Sequence, residues 1–328
     1  MILALETSCD DTCAAVVTAD GEMRSNVISS QGVHDRYGGV VPEVAARHHL
    51  ALVNDVVDDA LQTAGATLDD VDLVAVTQGP GLVGALLVGV ATAKGIATAR
   101  GLPLAPVDHL QGHVAAHFLG ESFEPPFLCL IASGGHTFLA RVEDHAGYTV
   151  LGATLDDAAG EAFDKGARML DLPYPGGPAL ERLAADGDPR AFDFPIAAGV
   201  PGLDFSFAGL KTALLYKVRD LGDEARAQRA DLAASYQRAI VEALALRVER
   251  GLRKIGPHPP LERLGIGGGV AANGPLRERM AGLGVELHVP ERALCTDNAA
   301  MIGSAARWVT PLRDYGALDA YASGERGL

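Results

Sequence analysis

Residues 2–19 read ILALETSCDDTCAAVVTA, and this stretch decides the fold class. An apolar run, a short turn rich in hydroxyl and carboxylate groups, and a second apolar run predict a β-hairpin. The same layout returns at residues 126–144, PFLCLIASGGHTFLARVED, where a small polar turn again separates two apolar runs. A hairpin that occurs twice indicates that one α/β design is repeated in the two halves of the chain.

The segments that follow each hairpin also correspond. A helix is expected from about Pro42 to Ala60, since proline favours the first helical turn. Residues 72–95, DLVAVTQGPGLVGALLVGVATAKG, predict a buried strand, a glycine–proline turn and an apolar helix, and residues 261–280, LERLGIGGGVAANGPLRERM, repeat that order. With the proline break at residues 124–126, we expect one lobe from residues 1–125 plus 296–328 and a second from residues 126–295.

Composition narrows the class of protein. The 328 residues are 48% hydrophobic but only 5% aromatic, which suits aliphatic α/β layers. Apolar runs stay shorter than the roughly 20 residues of a membrane span, and the N-terminus lacks the basic lead of a signal peptide. The chain is therefore expected to be cytoplasmic, without a membrane partner. Its cysteines form no C-x-x-C pair and are expected to be reduced packing residues: Cys9, Cys13, Cys129 and Cys295.

The net charge of −15 argues against a protein that coats nucleic acids without sequence specificity. Residues 1–110 carry five basic and fourteen acidic side chains, whereas residues 205–254 carry ten basic and six acidic ones. Such a basic run is usually the solvated face of a helix, but it could also contact a polyanion. Its members include Arg226, Arg229, Arg238, Arg247, Arg250, Arg253 and Lys254.

Two histidines form the most specific candidate metal site in the sequence. His109 and His113 are four residues apart, which on a helix places both rings on one face, and His117 would extend that face. Two imidazoles at this spacing can hold a divalent metal, although a surface pair without metal is the commoner case. The residues between them, LQG, lack the glutamate that activates water in zinc proteases, which argues against peptide hydrolysis.

A metal needs further ligands, and Asp297 in LCTDNAAMIG is the candidate. The alternative is that Thr296 or Asp297 simply caps the following helix. Acidic residues at the first hairpin tip, Glu6, Asp10 and Asp11, could handle metal or protons or could be solvated and inert.

Three glycine segments lie in the second half: SGGHT, YPGGP and GIGGGVAANGPL. Each is by itself most often a plain turn. Glycine permits close approach of a ligand to backbone N–H groups, and a helix N-terminus favours a phosphate. The three together favour a nucleotide or phosphoester site.

These segments resemble the bacterial tRNA adenosine threonylcarbamoyltransferase family (TsaD, formerly called Gcp or O-sialoglycoprotein endopeptidase). The resemblance runs in order from residue 6 to residue 302 and rests on ETSCDDT, YGGVVPEVAARHH, TQGPGLVGALLVGVATAKG, HLQGH, SGGHT, GEAFDKGARML, YPGGP, DFSFAGLKTA, GGGVAAN and TDNAAMI. It implies a two-lobed actin-like ATPase, Hsp70 and sugar-kinase (ASKHA) fold built from duplicated RNase H-like lobes.

The resemblance also implies a reaction. The enzyme would transfer the threonylcarbamoyl group of threonylcarbamoyl-AMP to the exocyclic N6 amine of adenosine 37, next to the anticodon of tRNAs that read ANN codons, and release AMP. Its implied companions are an inactive TsaB-like paralogue and a small TsaE-like ATPase. ATP or ADP could also bind. The alternatives are a metal-dependent glycoprotein endopeptidase, a stand-alone ATPase, or a non-catalytic scaffold, which would have no use for the retained motifs.

Residue roles follow from the resemblance by position. His109, His113 and Asp297 would hold a divalent metal, Fe²⁺ in preference to Zn²⁺. Asp10 and Asp11 would lie near the transferred group, one of them as proton acceptor, although other members have glutamate at the place of Asp11. The adenylate would bind Ile131, Ala132, Ser133, Gly134, Gly135, Asp164, Gly177, Glu181 and Asn273, with Glu181 at a position where many relatives have aspartate.

Overall fold

The computed structural model describes residues 1–120, 123–253 and 260–322. The strands are β1 Ile2–Glu6, β2 Asp11–Val17, β3 Met23–Ser30, β4 Leu73–Gly79, β5 Leu104–Asp108, β6 Phe127–Ala132, β7 Thr137–Val142, β8 Tyr148–Ala153, β9 Arg263–Gly267 and β10 Glu286–His288. The helices are α1 Pro42–Ala64, α2 Val83–Arg100, α3 His109–Ala115, α4 Ala159–Met169, α5 Gly176–Ala184, α6 Ala208–Leu221, α7 Glu224–Ala227, α8 Arg229–Arg253, α9 Gly274–Ala281, α10 Arg292–Cys295 and α11 Ala299–Ala306.

The described chain divides into two compact units. Unit 1 comprises Met1–Pro125, Asp144–Gly147 and Pro290–Leu328, and unit 2 comprises Pro126–Glu143 and Tyr148–Val289. The contacts thus group residues 144–147 and 290–295 with unit 1. The lobe boundaries expected from the sequence, residues 1–125 plus 296–328 and residues 126–295, differ at these two places and stay a prediction.

Each unit contains one five-stranded sheet of the same topology. The order is β3-β2-β1-β4-β5 in unit 1 and β10-β9-β6-β7-β8 in unit 2. In unit 1, β1 pairs antiparallel with β2 and parallel with β4, and β4 pairs parallel with β5. In unit 2, β6 pairs antiparallel with β7 and parallel with β9, and β9 pairs parallel with β10. The predicted duplication of an α/β design is therefore confirmed.

Helix α1 follows the local signals in its sequence. It begins at Pro42, as predicted, and ends at Ala64, about one turn later than expected, where Gly65 adopts a left-handed conformation with φ 64°. Buried aliphatic residues of this helix pack with those of α2 and the sheet, because both helices present an apolar face to the strands. This core includes Leu3, Leu5, Val16, Val53, Val57, Val74 and Val90.

Helix α2 is the one described helix that is long and apolar enough to cross a membrane by length and composition. It packs against α1 and β4, and 33% of its residues are buried within unit 1, among them Leu86, Val90 and Ala93.

The parallel strands determine where polar side chains collect. Strands β1, β4 and β5 run in the same direction, so their carboxyl ends meet at one edge of the first sheet. Strands β6 and β9 do the same in the second sheet. His109 directly follows β5 and the SGGHT turn directly follows β6, so these candidate residues lie at these edges.

Candidate metal centre and glycine loops

Helix α3 starts directly at the end of β5. The Asp108 side chain accepts hydrogen bonds from the N–H groups of Leu110 (2.9 Å) and Gln111 (3.1 Å), which caps the helix. His109 and His113 therefore lie one turn apart on a buried face, with exposed fractions of 5% and 1%. Their ring centroids are 4.7 Å apart. His117 does not extend this face, because α3 ends at Ala115 and His117 lies in the following 3-10 turn.

Asp297 belongs to the last segment of unit 1 in the sequence, Pro290–Leu328. Its Oδ1 lies 3.6 Å from His109 Nε2 and 3.3 Å from His113 Nε2. The neighbouring Asn298 caps α11 by accepting a hydrogen bond from Met301 N at 2.9 Å. The sequence left open whether Asp297 is a cap or a ligand, and the structure gives the cap to Asn298.

The donor atoms of these residues suit a metal ion. One atom from each of His109, His113 and Asp297 lies within 4.8 Å of the others, the only such group of three or more in the described residues. Both ring nitrogens of His113 are buried and make no hydrogen bond to any described residue, because the 3.3 Å approach to Asp297 lacks hydrogen-bond geometry. Coordination of Nε2 would compensate for that desolvation, and two imidazoles with one carboxylate suit iron(II) or zinc.

Glu6 lies behind His109 and is fully buried. Its Oε2 is 3.0 Å from His109 Nδ1. Burial disfavours the charged forms of both groups, and the attraction between them opposes this effect. The pKa of Glu6 is lowered by His109, and the pKa of His109 is raised to about 9 by Glu6 and Asp297. Sequence reasoning noticed Glu6 only as part of the hairpin tip. The available signal was its place directly after the apolar run ILAL, which predicts a buried strand.

The acidic turn after Glu6 is anchored through its backbone. Asp10 O accepts a hydrogen bond from Gln31 N (3.1 Å), and Cys9 O is 3.0 Å from His49 Nε2. Asp11 opens β2 and is partly buried. Burial raises the pKa of Asp11 to about 6, and the carboxylates of Asp297, Asp10 and Glu6 add to the rise, against a hydrogen bond from Ser30 that lowers it.

In unit 2, the SGGHT turn directly follows β6. Ser133 N donates to His136 O at 2.8 Å, which closes the turn, and the exposed Gly134 and Gly135 lie at its tip. Gly268 follows the adjacent β9 with φ 82°, and a Cβ there would lie 2.4 Å from Ala132 O. Only glycine therefore fits where these two loops approach each other.

The other candidate residues of unit 2 hold the glycine loops in place. Asp164 Oδ1 accepts from Gly176 N at 2.7 Å, and Glu181 Oε1 accepts from Gly274 N at 2.9 Å. Asn273 caps α9 and also donates to Gln237. Burial raises the pKa of Asp164, while hydrogen bonds from Gly176 and Gly177 oppose the rise. Contact of these side chains with an adenylate stays a prediction.

One member of the basic stretch is unavailable to a polyanion. Arg247 is 1% exposed, and its guanidinium donates to Asp204 O and Ala197 O, both at 2.7 Å. Its inclusion in an RNA-binding patch was therefore wrong, since it anchors the loop before α6 from inside. Arg250 and Arg253 are exposed. Lys254 lies outside the described residues.

Known proteins match the chain over most of its length. The model of the family described as TsaD, tRNA N6-adenosine threonylcarbamoyltransferase, matches residues 22–304. The protein of that name from Moorella thermoacetica is 52% identical over 327 residues, covering 97% of this chain and 94% of its own. The one from Symbiobacterium thermophilum is 50% identical, with 94% and 91% covered.

Solved structures of distant sequence share the fold. Component A of the Acidaminococcus fermentans (R)-2-hydroxyglutaryl-CoA dehydratase is 16% identical, with a TM-score of 0.56 over 94% of this chain and 96% of its own. HypF from T. kodakarensis is 16% identical, with a TM-score of 0.60 over 93% of this chain and 46% of its own. Both neighbours have actin-like ATPase folds, so the fold class predicted from the sequence is confirmed.

Proposed function

Because the chain belongs to the tRNA N6-adenosine threonylcarbamoyltransferase family, we propose that His109, His113 and Asp297 hold a metal ion that serves acyl transfer to tRNA. The chain is an acyltransferase, and the threonylcarbamoylated adenosine of tRNA is its product. The observation that carries the metal proposal is the convergence of three ligand atoms, one of them from the buried His113 imidazole, which makes no hydrogen bond to the described part of the chain.

The donor in this proposal is threonylcarbamoyl-AMP, and the acceptor is the N6 amine of adenosine 37 in tRNAs that read ANN codons. A bond forms between N6 and the carbamoyl carbon. The bond from that carbon to the phosphate oxygen breaks, and AMP leaves with the electron pair. The adenosine lies in the anticodon loop, where bases unstack readily and an enzyme can reach the amine.

The metal would be Fe²⁺ in preference to Zn²⁺, because the mixed nitrogen and oxygen ligand set suits a non-haem iron site. When bound, it supplies a Lewis acid that polarises an oxygen of the acyl donor. The protein contributes the two imidazoles, kept in place by the Asp108 cap of α3, and the carboxylate of Asp297, which does not serve as the cap of α11 because Asn298 does.

The proton released from N6 needs an acceptor, and we assign it to the acidic turn at Asp10 and Asp11. Asp11 is the better candidate, because burial raises its pKa to about 6. A carboxylate with a pKa near the working pH is both largely ionised and basic enough to take a proton.

The glycine loops of unit 2 are assigned to the adenylate. The N–H groups of the exposed residues Gly134 and Gly135 are suited to phosphate oxygens, because glycine allows close approach. Ile131, Ala132 and Ser133, at the end of β6, and Gly177, in the first turn of α5, are assigned to the same ligand by their positions in the family. Asp164, Glu181 and Asn273 support these loops through the hydrogen bonds described above. ATP or ADP would compete for the same loops.

The enzyme would act together with companion subunits in the cytoplasm. Its companions would be a TsaB-like inactive paralogue and a TsaE-like ATPase, which could supply the positive charge that this acidic chain lacks. We place the enzyme in the cytoplasm, where tRNA is available, without a membrane partner.

The test is reconstitution. The purified chain is incubated with threonylcarbamoyl-AMP, unmodified tRNA and the companion subunits, and the modified nucleoside is measured by mass spectrometry. We expect product with the wild-type chain and at least a 100-fold loss for His113→Ala, in line with loss of one preorganised catalytic element. The matched control is His48→Ala, a partly exposed histidine of α1, which should keep wild-type activity. Full activity of His113→Ala would contradict the metal assignment.

A further inference from the structure

Three groups contact the carboxylate of Glu6 within hydrogen-bond distance: a backbone N–H, a hydroxyl and an imidazole nitrogen. Ser8 N donates to Oε1, and Thr77 Oγ1 donates to Oε2 at 2.5 Å. His109 Nδ1 approaches the same Oε2 at 3.0 Å and also lies 3.2 Å from Ser8 Oγ. All these atoms are buried, and Glu6 has 0% exposure.

This arrangement assigns the proton on the imidazole. A carboxylate that already accepts from a backbone N–H and a hydroxyl is an acceptor for the third group as well, so Nδ1 of His109 must carry a hydrogen. The opposite nitrogen, Nε2, then remains as the ligand atom, and it is Nε2 that lies 3.6 Å from Asp297 Oδ1. The contacts of Nδ1 with Glu6 and Ser8 thus fix the orientation of the His109 ring, on the side opposite to Asp297.

We propose that Glu6 is a positioning residue that holds the His109 ring with Nε2 directed at the metal. It acts through His109 and does not itself contact the ion. Metal-bound histidines commonly donate their other N–H to a carboxylate, which fixes the ring and strengthens the ligand. The inference rests on the metal site proposed above and adds a residue to which the ligand set gave no role.

A purely structural role for Glu6 is the competing explanation. Its bonds to Ser8 and Thr77 connect the turn after β1 to β4, so any substitution could reduce stability. The two roles differ in what they change. A structural role alters the free energy of unfolding only, whereas a positioning role also alters metal affinity and the protection of the Nδ1 proton.

The experiment compares wild type with Glu6→Gln by competitive titration of the purified chain with Zn²⁺ alone. Glutamine replaces one acceptor oxygen with an amide NH₂, which would face a donor, so at least one of the three hydrogen bonds is lost. We expect Zn²⁺ to bind 10- to 100-fold more weakly. Glu43→Gln, at an exposed site on α1 paired with Arg47, is the matched control and should bind as wild type does.

A second measurement needs no variant. Nitrogen-15 NMR of the zinc-loaded wild-type chain, labelled at histidine, should show His109 coordinated through Nε2 with a slowly exchanging proton on Nδ1. Coordination through Nδ1, or equal Zn²⁺ affinity of wild type and Glu6→Gln, would overturn the inference.

The outcomes for the two proposals are separable. If His113→Ala loses Zn²⁺ while Glu6→Gln binds it as wild type does, the metal site stands and the role of Glu6 is wrong. If His113→Ala binds Zn²⁺ as tightly as wild type, the metal site itself is wrong, and the inference about Glu6 is overturned with it.

Discussion

At the residue scale, the division of tasks between Asp297 and Asn298 decides whether a metal site is available. Both residue types are strong helix caps, so either could have satisfied the first N–H groups of α11. Asn298 makes that hydrogen bond, with its φ and ψ at −159° and 157°. The carboxylate of Asp297 therefore remains near the two imidazoles, at 3.3 Å and 3.6 Å.

Asp11 provides a pH prediction at the same scale. Burial raises its pKa to about 6, above its ordinary value of 3.8. Between these pH values the folded chain binds a proton that the unfolded chain has lost, so stability falls as the pH rises from about 4 to about 6. We expect Asp11→Asn to lack this loss, and to gain about 2–3 kcal/mol over wild type between pH 4 and pH 7.

The measurement is urea unfolding across this pH range with a chelator present, so that no bound cation alters the charge balance. Asp55→Asn, at an exposed position of α1, is the control and should follow the wild-type pH dependence. Parallel curves for wild type and Asp11→Asn would show that the Asp11 carboxyl is not desolvated.

At the element scale, the site depends on the packing of α3 against α11. Gly112 lies between the two histidines, and a Cβ there would meet Ile302 Cδ1 at 2.8 Å and Met301 Cγ at 3.3 Å. Asp297 immediately precedes Asn298, the N-cap of α11. The separation of α3 and α11 therefore sets the distance between Asp297 and the two imidazoles. Glycine at position 112 permits the close approach.

We predict that Gly112→Val moves α3 away from α11. Overpacking of this kind costs about 1–3 kcal/mol of stability, and the displaced imidazoles should bind Zn²⁺ at least 10-fold more weakly. Thermal unfolding and zinc titration measure the two effects.

Gly95→Val in α2 is the matched control, because a Cβ at that position would meet no described atom within 4 Å apart from its chain neighbours and the backbone of its own helix. It should leave Zn²⁺ affinity unchanged. Unchanged Zn²⁺ affinity in Gly112→Val as well would mean that the helix contact does not control the ligand geometry.

At the scale of the whole molecule, the net charge of −15 opposes the binding of a polyanion. Arg250 and Arg253, the exposed cations of α8, are among the described residues of the basic stretch that could contact tRNA, as are Arg219 and Arg226 outside this helix, whereas Arg247 is buried. Arg250 is exposed, and Arg253, with 81% side-chain exposure, makes a long ion pair with Glu249 at 4.0 Å.

We predict that tRNA binding by the chain alone is weak and strongly salt-dependent. The double variant Arg250→Glu, Arg253→Glu should weaken it further at 50 mM salt and reduce the slope of log K against log salt by about one per lost phosphate contact. Filter binding at several salt concentrations gives both values. The double variant Arg24→Glu, Arg47→Glu, on unit 1, is the control, and equal losses in the two would remove α8 as a specific contact surface.

The sequence by itself determined the elements and their order. Hairpins, the start of α1 at Pro42 and the repeated strand–glycine–helix order follow from local apolar periodicity and turn chemistry, which need no distant contacts. The i, i+4 spacing of His109 and His113 likewise depends only on helix geometry, so the pair could be proposed before any fold was known.

Only the tertiary structure decided which polar groups meet. Glu6, Thr77 and His109 lie in three separate segments, and they come together because β1, β4 and β5 are parallel neighbours whose carboxyl ends share one sheet edge. The burial of Glu6 and of Arg247, and the choice of Asn298 over Asp297 as a cap, also depend on packing against distant elements. Periodicity along the chain carries no information about such contacts, since burial is a property of the assembled layers.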